Sequence, residues 1–138
     1  MITLKNASTY NLIKELKKRG HLTFVEFANY NLIRCTTKSG FGHNLNDWTI
    51  SDWMVATLGE LGEAANIVKK INRDRDNIPG NKKTKDQLTK MLMDELADTF
   101  IYLDLMVQAC GFNLEEIAKN KFNSTTLKNN MGNEHIIS

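Results

Sequence analysis

Two pairs of acidic residues constrain this chain more than anything else in it. Glu60 and Glu63 lie in the run TLGELGEAANIVKKI, and Glu95 and Asp98 in the run MLMDELADTFIYLDLMV. Both runs carry helical periodicity, with apolar residues recurring every three and four positions. On a wheel of 100° per residue, Met54, Leu58, Leu61, Ala65 and Val68 form one stripe of the first helix. Trp53, Ala56, Ala64, Ile67 and Ile71 form a second, roughly opposite. Glu60 and Glu63 fall inside or beside the second stripe, not on the polar arc of Gly59, Gly62, Asn66 and Lys69. The second helix repeats the pattern. Leu92, Leu96, Phe100, Leu103 and Val107 make one apolar face, and Leu88, Met91, Tyr102, Leu105, Met106 and Ala109 another. Glu95 and Asp98 share that second face, while Lys90, Asp94, Asp104 and Gln108 take the side expected to be solvated.

A single ExxE on a helix is usually a solvated face. Two acid pairs on apolar stripes are different, because a buried carboxylate without compensation costs several kcal/mol or more. Neither helix offers a basic residue on the same stripe; Lys70 stands nearest, at the far end. A hard divalent cation answers the problem, and Mg²⁺ takes oxygen ligands while keeping waters and phosphates in its shell. Di-iron centres in helical bundles use Glu-x-x-His pairs. The three histidines, His21, His43 and His135, lie outside the acid pairs, so all-oxygen ligation favours Mg²⁺ or Mn²⁺.

Around these two helices the chain reads as all-α. One proline, Pro79, and few turn dipeptides argue against β structure. A short basic helix is expected over residues 9–19, stopping at Gly20, and a second over 23–37 with Phe24, Phe27, Ala28, Asn31 and Cys35 along one side. A glycine-containing loop follows over 38–46. The long helices span about 49–72, capped by Thr49 with Asp52, and about 84–110, opened by Thr84 with Gln87 and stopped by Gly111. The polar segment 73–83 between them is an exposed loop. Asn113 and Glu116 open a last helix over 114–128. The expected organisation is an N-terminal extension (1–22), a four-helix-bundle-like domain (23–130) and a flexible tail (131–138).

Composition narrows the class. The 138 residues fit one domain, and a net charge of +2 is too small to make nucleic acid the main ligand. Two cysteines without a CxxC suit a reduced, cytoplasmic setting. The most apolar stretch, 100–110, is too short for a membrane span and contains Asp104.

The run Gly59 to Asn66 (GELGEAAN), then Asp94 to Asp98 (DELAD), then Lys121-Phe122-Asn123 resembles the MazG-like all-α nucleoside triphosphate pyrophosphohydrolases, in particular their short single-domain phage and bacterial forms. The resemblance covers roughly residues 23–130. It implies Mg²⁺-dependent hydrolysis of a (deoxy)nucleoside triphosphate to monophosphate and pyrophosphate, with Glu60, Glu63, Glu95 and Asp98 as metal ligands. Catalytic work is expected of Glu60 and Glu63. Some members carry a further Glu where Gly59 stands, which leaves the water-activating group open among the remaining acids. Lys121 and Asn123 are expected on phosphate or sugar, although relatives often continue with Ser-Glu-Arg where Thr126-Leu127-Lys128 stands here. Asn31, Trp53 and Tyr102 are candidates for the base or sugar pocket. The basic residues Arg73, Arg75, Lys82, Lys83 and Lys85 are candidates for attracting the polyphosphate. The family implies a homodimer or homotetramer, and purine deoxynucleotides such as dGTP and dATP are the favoured substrates. The alternatives are a pyrimidine dUTP or dCTP pyrophosphatase and a non-catalytic nucleotide-binding module.

Overall fold

Each long helix begins where a threonine stands three residues before a carboxylate or amide. The computed structural model describes residues 14–15 and 18–138, and places four helices in that part of the chain: α1 (Phe24–Thr36), α2 (Ile50–Arg75), α3 (Lys85–Ala109) and α4 (Leu114–Lys128). Thr49 and Asp52 cap α2 reciprocally, Thr84 and Gln87 cap α3, and Thr23 and Glu26 cap α1 in the same way. Each box satisfies orphan backbone donors and contributes on the order of 1 kcal/mol. Asn113 accepts from the Glu116 amide to open α4. Gly111, at φ +79, closes α3 in the left-handed conformation that glycine adopts without strain. Two single-turn 3₁₀ helices, Leu45–Asp47 and Asn133–His135, complete the described elements, and no strand is present among them.

The all-helical expectation is met in the described residues. Most of the N-terminal helix expected over 9–19 lies outside them, though Lys14, Glu15 and Lys18 are helical. α2 runs three residues beyond its expected end at Asn72, to Arg75. The polar tail contains the second 3₁₀ turn, and Ile137 exchanges two backbone hydrogen bonds with the Asn123 side chain on α4. No helix among the described residues is long and apolar enough to cross a membrane.

α2 and α3 pack as an antiparallel pair. Trp53 near the start of α2 meets Leu105 and Tyr102 near the end of α3, and Glu60 meets Glu95 and Asp98 about two helical turns further in. The buried residues of α2 are Trp53, Thr57, Ala64 and Ile67, all from the second apolar stripe or its edge. The first stripe is not covered: Met54, Leu58, Leu61 and Val68 are all exposed. α1 lies against the C-terminal half of α3. Its Ala28, Asn31 and Cys35 are buried, and Phe24 and Phe27 pack on Phe100 with ring centroids 5.5 and 5.1 Å away.

That placement of α1 overturns one expectation. Asp104 belongs to the polar arc of α3 on the wheel, yet it is fully buried. The arc faces α1 at this end of the helix, not solvent. Asp104 accepts from Asn31 Nδ2 and from Gln108 Nε2, both at 2.8 Å.

After α1 the chain doubles back on the helix end. Phe41 and His43 donate backbone hydrogen bonds to the carbonyls of Arg34 and Cys35, at 2.9 and 2.8 Å. Gly40 permits the approach, since a Cβ there would collide with the Arg34 carbonyl. Gly40→Ala is therefore expected to lower stability by about 1–3 kcal/mol through local strain, read as a lower urea midpoint at unchanged slope. An unchanged midpoint would mean that the loop does not hold this close approach.

Candidate functional site

Glu60 stands at the centre of the buried face of α2, between Trp53 and Thr57 on one side and Ala64 and Ile67 on the other. Glu95 and Asp98 stand one turn apart on α3, facing it. One carboxylate oxygen from each of the three lies within 4.8 Å of the other two. Glu60 and Glu95 are half-buried and Asp98 is exposed. Among the described residues no Lys, Arg or His forms an ion pair with any of them. Burial pushes the Glu60 carboxyl above its ordinary value, and the charges of Asp98, Glu63 and Glu95 push it further, with a hydrogen bond to Glu95 adding to the effect.

Such a donor set suits a hard cation. Oxygen ligands at about 2.0–2.1 Å from Mg²⁺ stand about 2.9 Å apart when adjacent and about 4.2 Å when opposite, so the three carboxylates would have to draw closer together to share one coordination shell. Glu63 is not part of the cluster. Three residues beyond Glu60, it lies about 60° further round the helix and is exposed, close enough for its charge to act on Glu60. Of the four expected acids, the fold thus brings three together and leaves the fourth beside them.

Asp98 also lines a cavity of about 320 Å³ that opens next to the acids. Aromatic rings make much of its wall. Trp53 stacks edge-on against Trp48 at 4.7 Å, His43 packs on Trp48 at 4.7 Å, and Tyr102 continues the row at 6.4 Å from Trp53. Trp53 is almost fully buried and donates its indole N–H to the Leu45 carbonyl at 3.0 Å, which fixes its ring. Asn31 and Arg34 from α1 add polar groups to its wall. All three residues expected in a base pocket, Asn31, Trp53 and Tyr102, therefore line one cavity with one of the acids.

Lys121 and Asn123 are not gathered into it. Lys121 is exposed on α4, and both polar atoms of the Asn123 side chain are taken by Ile137. The basic loop residues divide. Lys82 and Lys83 line a second cavity with Lys69, Lys70 and Arg73, whereas Arg75 is tied to Asp76 by a two-pronged ion pair at 2.7 and 2.9 Å.

No protein-family model matches the chain, and comparison with curated proteins and with solved structures gives no match.

Sequence reasoning missed several cavity residues: Arg34, Phe41, His43 and Trp48. For the three rings a weak signal is present, since Phe41, His43 and Trp48 stand in or just after the glycine-containing loop 38–46; Arg34 carries none. Asp104 carried a false signal, because an acid on a polar arc is normally solvated.

The acids give a pH test with a definite sign. Glu60 holds its proton more tightly in the folded chain than at its ordinary value of 4.5. Its contribution to stability is therefore complete below that value and is lost as pH rises through the raised one. Without metal, thermal midpoints should fall over this range, and millimolar Mg²⁺ should raise them at neutral pH. At a hundred times its dissociation constant, a bound ion contributes about 2.7 kcal/mol. Glu60→Gln should flatten the metal-free slope and abolish the Mg²⁺ gain. A Mg²⁺ gain that survives in Glu60→Gln would place the ion elsewhere.

Proposed function

We propose that this chain is a Mg²⁺-dependent nucleoside triphosphate pyrophosphohydrolase that cleaves between the α and β phosphates, with purine deoxynucleotides as the first substrates to test. The observation that carries this reading is Asp98, which belongs both to the three-acid cluster and to the aromatic cavity. A planar base stacked among Trp48, Trp53 and Tyr102 would leave its phosphates at the acids. The resemblance to MazG-like enzymes supplies the same reaction.

Glu60, Glu95 and Asp98 would hold the ion. When bound, Mg²⁺ offsets phosphate charge and acidifies an attacking water. The chain's residues supply the rest. The rigid α2–α3 pair fixes the acids relative to the base cavity, which positions the α phosphorus. Glu63 stands beside the cluster without belonging to it and, with Gly59 in place of a further acid, is the group we assign to taking the proton from water. Water adds to the α phosphorus, the α–β bridging bond breaks, and pyrophosphate leaves with the bridging oxygen. The five cations around the second cavity, at the end of the α2–α3 pair away from the aromatic cavity, give that end a positive potential that would draw in a polyphosphate.

The exposed stripe Met54, Leu58, Leu61 and Val68 supports self-association of α2 with a second copy, as homodimer or homotetramer. A contiguous apolar helix face is what such an interface needs.

Two variants separate the roles. Glu95→Gln should lose Mg²⁺-induced stabilisation and at least about a hundredfold in kcat. Glu63→Gln should keep the Mg²⁺ stabilisation and lose about a hundredfold or more in kcat, as expected for a missing general base. Products from dGTP and dATP, resolved by ³¹P NMR, should be monophosphate and pyrophosphate. Orthophosphate release, or no turnover by the folded protein, would sink the proposal.

A further inference from the structure

The buried Asp104 has no part in the hydrolytic scheme, yet it is a carboxylate with no exposed surface. Its Oδ2 takes hydrogen bonds from Asn31 and Gln108, and its Oδ1 takes none among the described residues. An ionisable group is a costly way to fill a core position. What it does is visible in its partner.

Asn31 spends both amide hydrogens inward, one on the Ile101 carbonyl at 3.0 Å and one on Asp104 at 2.8 Å. Turning the amide over would set Oδ1 against two acceptors, so the orientation is fixed by chemistry. The hydrogen-bonding capacity left to Asn31 is on Oδ1. That atom accepts from Arg34 Nη2 at 3.3 Å, and Asn31 and Arg34 both line the aromatic cavity. The cavity thus carries a carbonyl acceptor beside a permanently charged donor.

We infer that Asp104 is a positioning residue that locks Asn31 with its oxygen toward the cavity, so that Asn31 and Arg34 together recognise a lactam edge, a ring N–H next to a carbonyl. The N–H donates to Asn31 Oδ1, and the ring carbonyl accepts from the Arg34 guanidinium. A carbonyl oxygen is the better partner for a charged donor than a ring nitrogen beside an amino group. Guanine and uracil carry such an edge; adenine and cytosine carry an amino group in place of the carbonyl, so the edge narrows the purine reading to guanine and adds uracil beside it. This rests on the nucleotide reading for its choice of probes but not on turnover.

The test is calorimetric binding of dGMP, dUMP, dAMP and dCMP to the full chain in Mg²⁺. The two lactam nucleotides should bind at least roughly tenfold more tightly than the two amino ones, since a site built for a donor–acceptor pair leaves its own groups unpaired against the wrong edge. Asp104→Asn still presents one oxygen to both amides and should keep the preference. Asp104→Leu removes that oxygen and should reduce the preference to about twofold or less. Arg34→Gln, an exposed position, should weaken the lactam nucleotides more than the amino ones, and an equal loss for all four would count against the inference. Equal binding of all four by the native chain, a preference for the amino bases, no binding at all, or a preference intact in Asp104→Leu overturns the inference. Should Asp104→Leu not fold, the native Asn31 side-chain amide decides by NMR. Two distinct, slowly exchanging protons are expected, and fast exchange overturns the lock. A chain that binds with this preference but releases no pyrophosphate keeps this inference and loses the hydrolase reading. One that hydrolyses every triphosphate without base preference does the reverse.

Discussion

The structure depends on how α2 packs against α3. The same stripe of α2 that buries Trp53, Ala64 and Ile67 also carries Glu60, so the apolar packing of the pair cannot form without pressing Glu60 towards Glu95 and Asp98. Burial first, and then the neighbouring charges of Asp98, Glu63 and Glu95, hold the Glu60 carboxyl above its ordinary value, so both desolvation and repulsion oppose the packing. Among the described residues no basic side chain pairs with this cluster, so its burial and repulsion cost stability. A bound cation is the physical agent that reverses the sign of the interaction.

The cavity follows from the same packing plus one loop. Trp53 comes from the first turn of α2 and Tyr102 from the last third of α3, so the antiparallel arrangement alone sets them side by side. The loop returning from α1 adds His43 and Trp48 to the row. Its return is held by backbone hydrogen bonds to the end of α1, with Gly40 allowing the contact. The acids, Trp53 and Tyr102 are therefore positioned by helices, and the loop contributes the further rings of the wall. Under the proposed reading, that division puts the ion-holding groups on rigid elements and leaves the cavity wall to a loop.

Much of this was legible from the residues. The caps of α2 and α3 follow from Thr49 with Asp52 and Thr84 with Gln87, because a capping box is a local signal that tertiary packing rarely overrides. Glu60, Glu95 and Asp98 were marked by apolar neighbours. The same wheel misplaced Glu63, whose position at the edge of the stripe puts it in solvent, and Asp104, whose polar arc is covered by α1. A wheel describes one helix and cannot see which neighbour crosses it. Lys121 and Asn123 came from a motif, not from periodicity, and Asn123 is engaged by the tail. The cavity's loop residues carried no periodic signal at all, since loop side chains are placed by turn geometry and not by a repeat.

The central claim is that Glu60, Glu95 and Asp98 form one cation site. Crystals of the protein grown with Mn²⁺ test it most directly, through the anomalous scattering of the ion. The account predicts a strong anomalous peak between α2 and α3, with oxygens of all three carboxylates at about 2.1–2.3 Å. No peak there, or a peak at other residues while the three acids stay apart, would contradict it.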